Sequence, residues 1–114
     1  MLRRTEAARE PADLIRVGDV ELNVPSMQLT ISGRRVELTP TEFQLLATMV
    51  RQPGRVFSRA QLLSAVRGVA FESYERAIDA HVKNIRHKLE PEPASPRYVL
   101  TVYGVGYRFA ELDE

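Results

Sequence analysis

Tyr74-Glu75-Arg76-Ala77-Ile78-Asp79-Ala80-His81-Val82-Lys83-Asn84-Ile85-Arg86-His87-Lys88-Leu89 places apolar side chains at Tyr74, Ile78, Val82, Ile85 and Leu89. That spacing is the period of an amphipathic helix. Ser73 stands where an N-cap is wanted, and Pro91 and Pro93 forbid continuation past the end. On a wheel of roughly 100° per residue the five apolar residues cluster on one side, which must face a core. Arg76, Ala80, Lys83, Asn84 and His87 fall on the opposite side. Any surface helix can show Lys, Arg and Asn outward, so the meaning of this second face depends on the elements around it.

Upstream, Thr39-Pro40-Thr41-Glu42 combines an N-cap, a proline at the first helical position and the acid of a capping box. Phe43, Leu45, Leu46, Met49 and Val50 supply a buried stripe, and Gln52-Pro53-Gly54 ends the helix. A second capping box, Ser58-Arg59-Ala60-Gln61, opens a shorter helix with Leu62, Leu63 and Val66 inward and Gly68 as its expected end. Before these helices, Ile15–Val17, Val20–Asn23, Gln28–Ile31 and Arg35–Leu38 alternate in polarity. Gly18-Asp19, Pro25-Ser26 and Ser32-Gly33 separate them as turns. Four strands of this length make an antiparallel meander whose apolar face needs helices to cover it. Downstream, Tyr98–Val102 and Tyr107–Phe109 flank Tyr103-Gly104-Val105-Gly106 as a hairpin. The two glycines there suit a tight turn better than a phosphate loop, because a lone Gly-x-Gly is weak evidence for a nucleotide site.

The expected class is therefore α+β: a winged helix-turn-helix with an N-terminal four-stranded antiparallel sheet, three helices and a C-terminal β-hairpin wing. Residues 1–14 read as a linker or flexible tail, 15–110 as the domain and 111–114 as a C-terminal tail. A chain of 114 residues holds one modest core. No apolar run approaches the length of a membrane span, and Met1–Glu10 lacks the apolar stretch of a signal peptide. A cytoplasmic location and no membrane contact are expected. With no cysteine, disulfides, thiolate zinc sites and cysteine nucleophiles are excluded together.

The net charge of +1 hides an asymmetry: Arg51 to Arg108 carries ten Lys/Arg against five acids. A basic half suits a polyanion, although a surplus of this size also occurs on plain solvated surfaces. Within a helix-turn-helix order, the outward face of the 74–89 helix has what groove reading requires. Cations neutralise phosphates, Ala80 permits close approach, and the Asn84 amide can form paired hydrogen bonds with adenine N6 and N7. An enzyme is not expected, and neither a cofactor nor a metal is called for. His81 and His87 lie on different sides of one helix, and no serine, histidine and acid form an obvious triad. The alternative is a winged helix used for protein–protein contact without DNA, since fold alone does not assign function.

Several stretches together resemble the DNA-binding effector domain of OmpR/PhoB-type response regulators, over roughly Ile15 to Ala110. They are Leu38–Phe43, Pro53–Arg59, Arg76–Val82 with Asn84–Arg86 and Lys88-Leu89, and Thr101-Val102 with Gly104–Tyr107. The resemblance implies double-stranded DNA as partner, bound at tandem direct repeats by head-to-tail dimers. It also implies RNA polymerase contact through the 68–72 loop, and a phosphorelay in which a sensor kinase acts on a separate receiver domain. Leu2-Arg3-Arg4 and the residues after it look like the linker to such a receiver. Carried over position by position, phosphate contacts fall on Arg59, Arg76, His81, Lys83 and Tyr107, and base contact on Asn84. His87 is placed at the groove by the wheel alone. His81 sits at the margin of the core on the same wheel, so a packed, hydrogen-bonded role stays open beside a phosphate contact.

Asp79 cannot attract phosphate and is expected to pair within the chain, with an arginine such as Arg76 or Arg86. Arg86 and Lys88 flank the groove face, where solvated charge is a sufficient reading. Two positions depart from the family pattern. Arg67 stands where tryptophan is frequent, keeping a possible phosphate contact without the ring. Tyr103 replaces the frequent wing-tip arginine, removing the charge that favours a narrow minor groove while leaving contact with backbone or sugar.

Overall fold

The computed structural model describes residues 14–66 and 76–112. Strands β1 (Leu14–Val17), β2 (Val20–Asn23), β3 (Gln28–Ile31) and β4 (Arg34–Val36) form the expected antiparallel meander in chain order. Leu14 already belongs to β1, one residue before the sequence-read start. The last strand ends at Val36 rather than Leu38, because Glu37 and Leu38 lead into the cap of the first helix. The register aligns Ile15, Leu22, Leu29 and Val36 in one row across the sheet. Alternation then sends Val17, Val20 and Ile31 to the same covered face.

Helix α1 (Pro40–Val50) starts with both halves of its capping box made. The Glu42 backbone N–H donates to Thr39 Oγ1 at 3.2 Å, and the Thr39 N–H donates to Glu42 Oε1 at 3.0 Å. Helix α2 (Arg59–Ala65) repeats the arrangement with Ser58 and Gln61; each such cap is worth on the order of 1 kcal/mol. Val66 is the C-cap of α2; Gly68, Ser73 and Tyr74 lie outside the described residues. Helix α3 (Arg76–Leu89) buries Ile78, Val82, Ile85 and Leu89, each contributing roughly 1.5–3 kcal/mol through removal from water. These side chains share one core with Phe43, Leu45, Leu46, Met49 and Val50 of α1, Leu62 of α2 and the inner face of the meander.

The hairpin is β6 (Val99–Val102) and β7 (Gly106–Phe109), and a two-residue strand β5 (Phe57–Ser58) adds to β7 in the order β5-β7-β6. Strand β5 went unread in the sequence because two residues carry no periodicity. Its partner position is Gly106, paired with Ser58. A Cβ on Gly106 would overlap the Phe57 carbonyl oxygen, so this glycine serves a close backbone approach and not the turn. Gly104 is the turn residue, at φ 81° with open space around it.

Polar contacts tie the segment leading into the wing to the rest. The Glu90 carboxylate, 6% exposed, accepts the backbone N–H groups of Arg97, Tyr98 and Val99 at 2.8–3.2 Å. The Tyr98 hydroxyl donates to Asp19 at 3.0 Å, tying the hairpin to the β1–β2 turn. Leu112, read from sequence as tail, lies over Gly18 and packs against the core.

Candidate nucleic-acid interface

Burial of the apolar stripe fixes the rotation of α3, and rotation decides what the helix presents. Arg76, Ala80, Lys83, Asn84 and His87 are all exposed, while Asp79, His81 and Arg86 are half-buried along the borders. The wheel therefore placed the outward face correctly, and His81 does sit at the margin of the core. Arg86, His87 and Lys88 occupy the last turn, where cations also favour the negative end of the helix dipole.

Asp79 joins three elements. It accepts a hydrogen bond from the Tyr107 hydroxyl of β7 at 2.6 Å and pairs with Arg59 Nε, at the start of α2, at 3.1 Å. The expectation that Asp79 pairs with an arginine inside the chain holds, with Arg59 of α2 as a partner where the sequence suggested arginines of its own helix such as Arg76 or Arg86. Arg86 instead turns to the wing: its guanidinium donates to the Val99 carbonyl at 2.9 Å and to Thr101 Oγ1 at 2.6 Å, and lies 5.6 Å from the centre of the Tyr107 ring. Solvated charge is thus the wrong reading of Arg86, and of Lys88 as well, whose ammonium binds the buried Glu42 carboxylate at 2.6 Å.

Tyr107 is buried at the ring. Burial first, and then the bond its hydroxyl gives Asp79, push its phenol up to about 12. The residue holds a proton at any physiological pH and uses it on Asp79, so its position is that of a strut beneath the interface. Tyr103 is the opposite, 91% exposed at the wing tip beside Val105 at 56%. Between the start of α2, Asp79 and the wing lies a cleft of about 720 Å³ bordered by Arg59, Tyr103 and Tyr107. Arg67 and the 68–72 loop lie outside the described residues. Sequence reading missed Glu42, Glu90 and Asp19 as fixings of this assembly. Only Glu42 left a signal, through its capping box.

A family model described as "Transcriptional regulatory protein, C terminal" matches residues 33–109. That range takes in α1, α2, α3 and the wing. The chain belongs to the OmpR/PhoB family of DNA-binding effector domains.

It is a winged-helix domain of DNA-binding transcriptional regulation. The DNA-binding response regulator MtrA of Mycolicibacterium smegmatis is 44% identical over 107 residues, which are 94% of this chain and 46% of that protein. The effector domain thus spans about half the length of this curated relative. Among solved structures, the response regulator DrrB, a Thermotoga maritima OmpR/PhoB homologue, is 30% identical with a TM-score of 0.75 over 86% of this chain and 44% of its own. The Klebsiella pneumoniae RstA DNA-binding domain, solved in complex with the RstA box, is 28% identical with the same TM-score, over 86% of this chain and 97% of its own.

Proposed function

We propose that this effector domain binds double-stranded DNA sequence-specifically by laying α3 in a major groove, with Asn84 reading a base edge and the β6–β7 hairpin acting as wing. The observation that carries the reading is the exposed strip Arg76, Ala80, Lys83, Asn84 and His87, set opposite a stripe buried to 0–2% exposure. A helix anchored this firmly keeps its outward side chains in register with successive base pairs. Arg76 and Lys83, with Arg59 from α2, supply phosphate contacts. Ala80 keeps the helix surface low enough for Asn84 to reach adenine N6 and N7. His87 lies toward the end of the groove face, and His81, at its border, reaches the backbone. Arg67 adds a further cation beyond α2. Tyr107 supports the wing while Tyr103 touches the duplex.

The full regulator, on this reading, carries a receiver domain phosphorylated through a sensor kinase, works in the cytoplasm on tandem direct repeats, and contacts RNA polymerase. It performs no catalysis in this domain. No described helix is long and apolar enough to cross a membrane.

Selection from a random duplex library followed by salt-dependent gel shifts tests the central claim. Binding to the selected site should fall steeply from low to moderate salt. Asn84→Ala should change which bases are preferred, whereas Lys83→Ala should weaken all sequences alike. A selection that enriches no sequence, with only weak binding of every duplex, would overturn the reading.

A further inference from the structure

An acid stands inside the basic interface. Asp79 occupies the first turn of α3, and its side chain is 40% exposed between Arg59 and the cleft beneath the wing. A carboxylate in the first turn favours the positive end of the helix dipole, which accounts for an acid but not for its partners. The same carboxylate accepts a hydrogen bond from the hydroxyl of a buried tyrosine on β7 and pairs with the Nε of an arginine from α2. A guanidinium carries five N–H donors in a fixed plane. Arg59, with half its side chain exposed, can hold Asp79 through Nε and offer other donors to a phosphate.

Resting on the proposed DNA reading, we propose that Asp79 is a positioning residue that sets the discrimination between sequences. It orients Arg59 and, through Tyr107, the wing against α3, while its own charge disfavours a duplex docked out of register. In the correct register a phosphate meets the oriented Arg59. Shifted along the groove, the backbone approaches Asp79 instead, and like charge in partly desolvated surroundings costs binding. Such a residue lowers affinity for arbitrary DNA more than for the target, so its removal should strengthen some binding.

Asp79→Asn keeps the size of the side chain and an oxygen to accept the Tyr107 hydroxyl, but loses the charge. Dissociation constants are measured across a NaCl series for the selected duplex and for a random-sequence duplex, with folding checked by circular dichroism. The expected result is roughly two- to fivefold tighter binding of random duplex, the scale of one exposed charge. The salt slope on that duplex should steepen by up to about 0.9, and the target-to-random ratio should shrink. A merely structural role would weaken both duplexes in parallel with an unchanged slope, and that outcome, like no change at all, overturns the proposal. Should Asp79→Asn fail to fold, Arg59→Lys decides the matter, since it keeps the charge but loses the planar fork. Loss of discrimination with random binding retained supports the role, and equal loss on both duplexes refutes it. If the unsubstituted domain binds the duplexes without discrimination, the DNA reading itself has failed. If it discriminates and the substitutions leave the ratio intact, only the role of Asp79 has.

Discussion

The Lys88 ammonium at the end of α3 lies 2.6 Å from Oε1 of Glu42 in the first turn of α1. Glu42 is 3% exposed, and the same oxygen accepts the Thr39 N–H. One carboxylate therefore caps α1 and anchors the far end of α3. Lys88→Ala would leave a buried carboxylate with its cap but without its cation. A loss of about 1–3 kcal/mol is expected, read as a lower midpoint in urea unfolding. Glu42→Gln, which keeps a capping oxygen and buries no charge, should cost less than Lys88→Ala.

Acid should unfold the domain through identifiable groups. Burial alone would raise the Glu42 carboxyl, but the bonds from Lys88 and Thr39 hold it below its ordinary value near 4.5. The Ser32 hydroxyl, joined by Tyr98, holds Asp19 below 3.8. A carboxyl depressed by folding contributes stability that is present above its unfolded value and lost as pH falls through its folded one. Stability should decline as the pH is lowered from about 4.5, and Glu42→Gln should flatten that decline in denaturation curves measured at each pH.

Alkali tests the other sign. Tyr107 is raised from 10.0 to about 12, by burial and then by its bond to Asp79. Its contribution is full below 10 and disappears as pH rises through about 12. Absorbance titration of tyrosinate should show this phenol ionising late, together with loss of fold. Replacement by phenylalanine should remove that step.

The two wing glycines should respond differently to alanine. Gly106→Ala places a methyl group on the Phe57 carbonyl, so β5 must separate from β7, at an expected cost above about 2 kcal/mol by overpacking and lost pairing. Gly104→Ala meets no neighbour and incurs only the left-handed backbone penalty at φ 81°, about 1–2 kcal/mol. Thermal melts of the two variants compare them directly, and a smaller loss for Gly106→Ala would contradict the close-approach argument.

Tyr103 should contribute to DNA affinity without contributing to its salt dependence. The wing tip presents Tyr103 and Val105 to solvent, and neither releases a counterion. Tyr103→Ala should weaken target binding with the slope of log affinity against log salt unchanged. Tyr103→Arg should steepen that slope by about 0.9. A shallower slope for Tyr103→Ala would show that the tyrosine has an electrostatic share.

Periodicity and capping determined much of this protein. The meander followed from alternating residues and turn signals, α1 and α2 from their capping boxes, and the outward face of α3 from the 3.6-residue repeat, because each is written in neighbours along the chain. Tertiary structure alone decided who meets Asp79, why Gly106 has no side chain, and that Arg86 and Lys88 are tethered. Arg59 and Asp79 are twenty positions apart, and Lys88 and Glu42 lie on different helices. Helical spacing names only the neighbours within one element, so from the sequence it offers Asp79 arginines of its own helix such as Arg76 and Arg86. Packing of the core brings the start of α2, the first turn of α3 and the wing together, and distance in space then decides which charges pair.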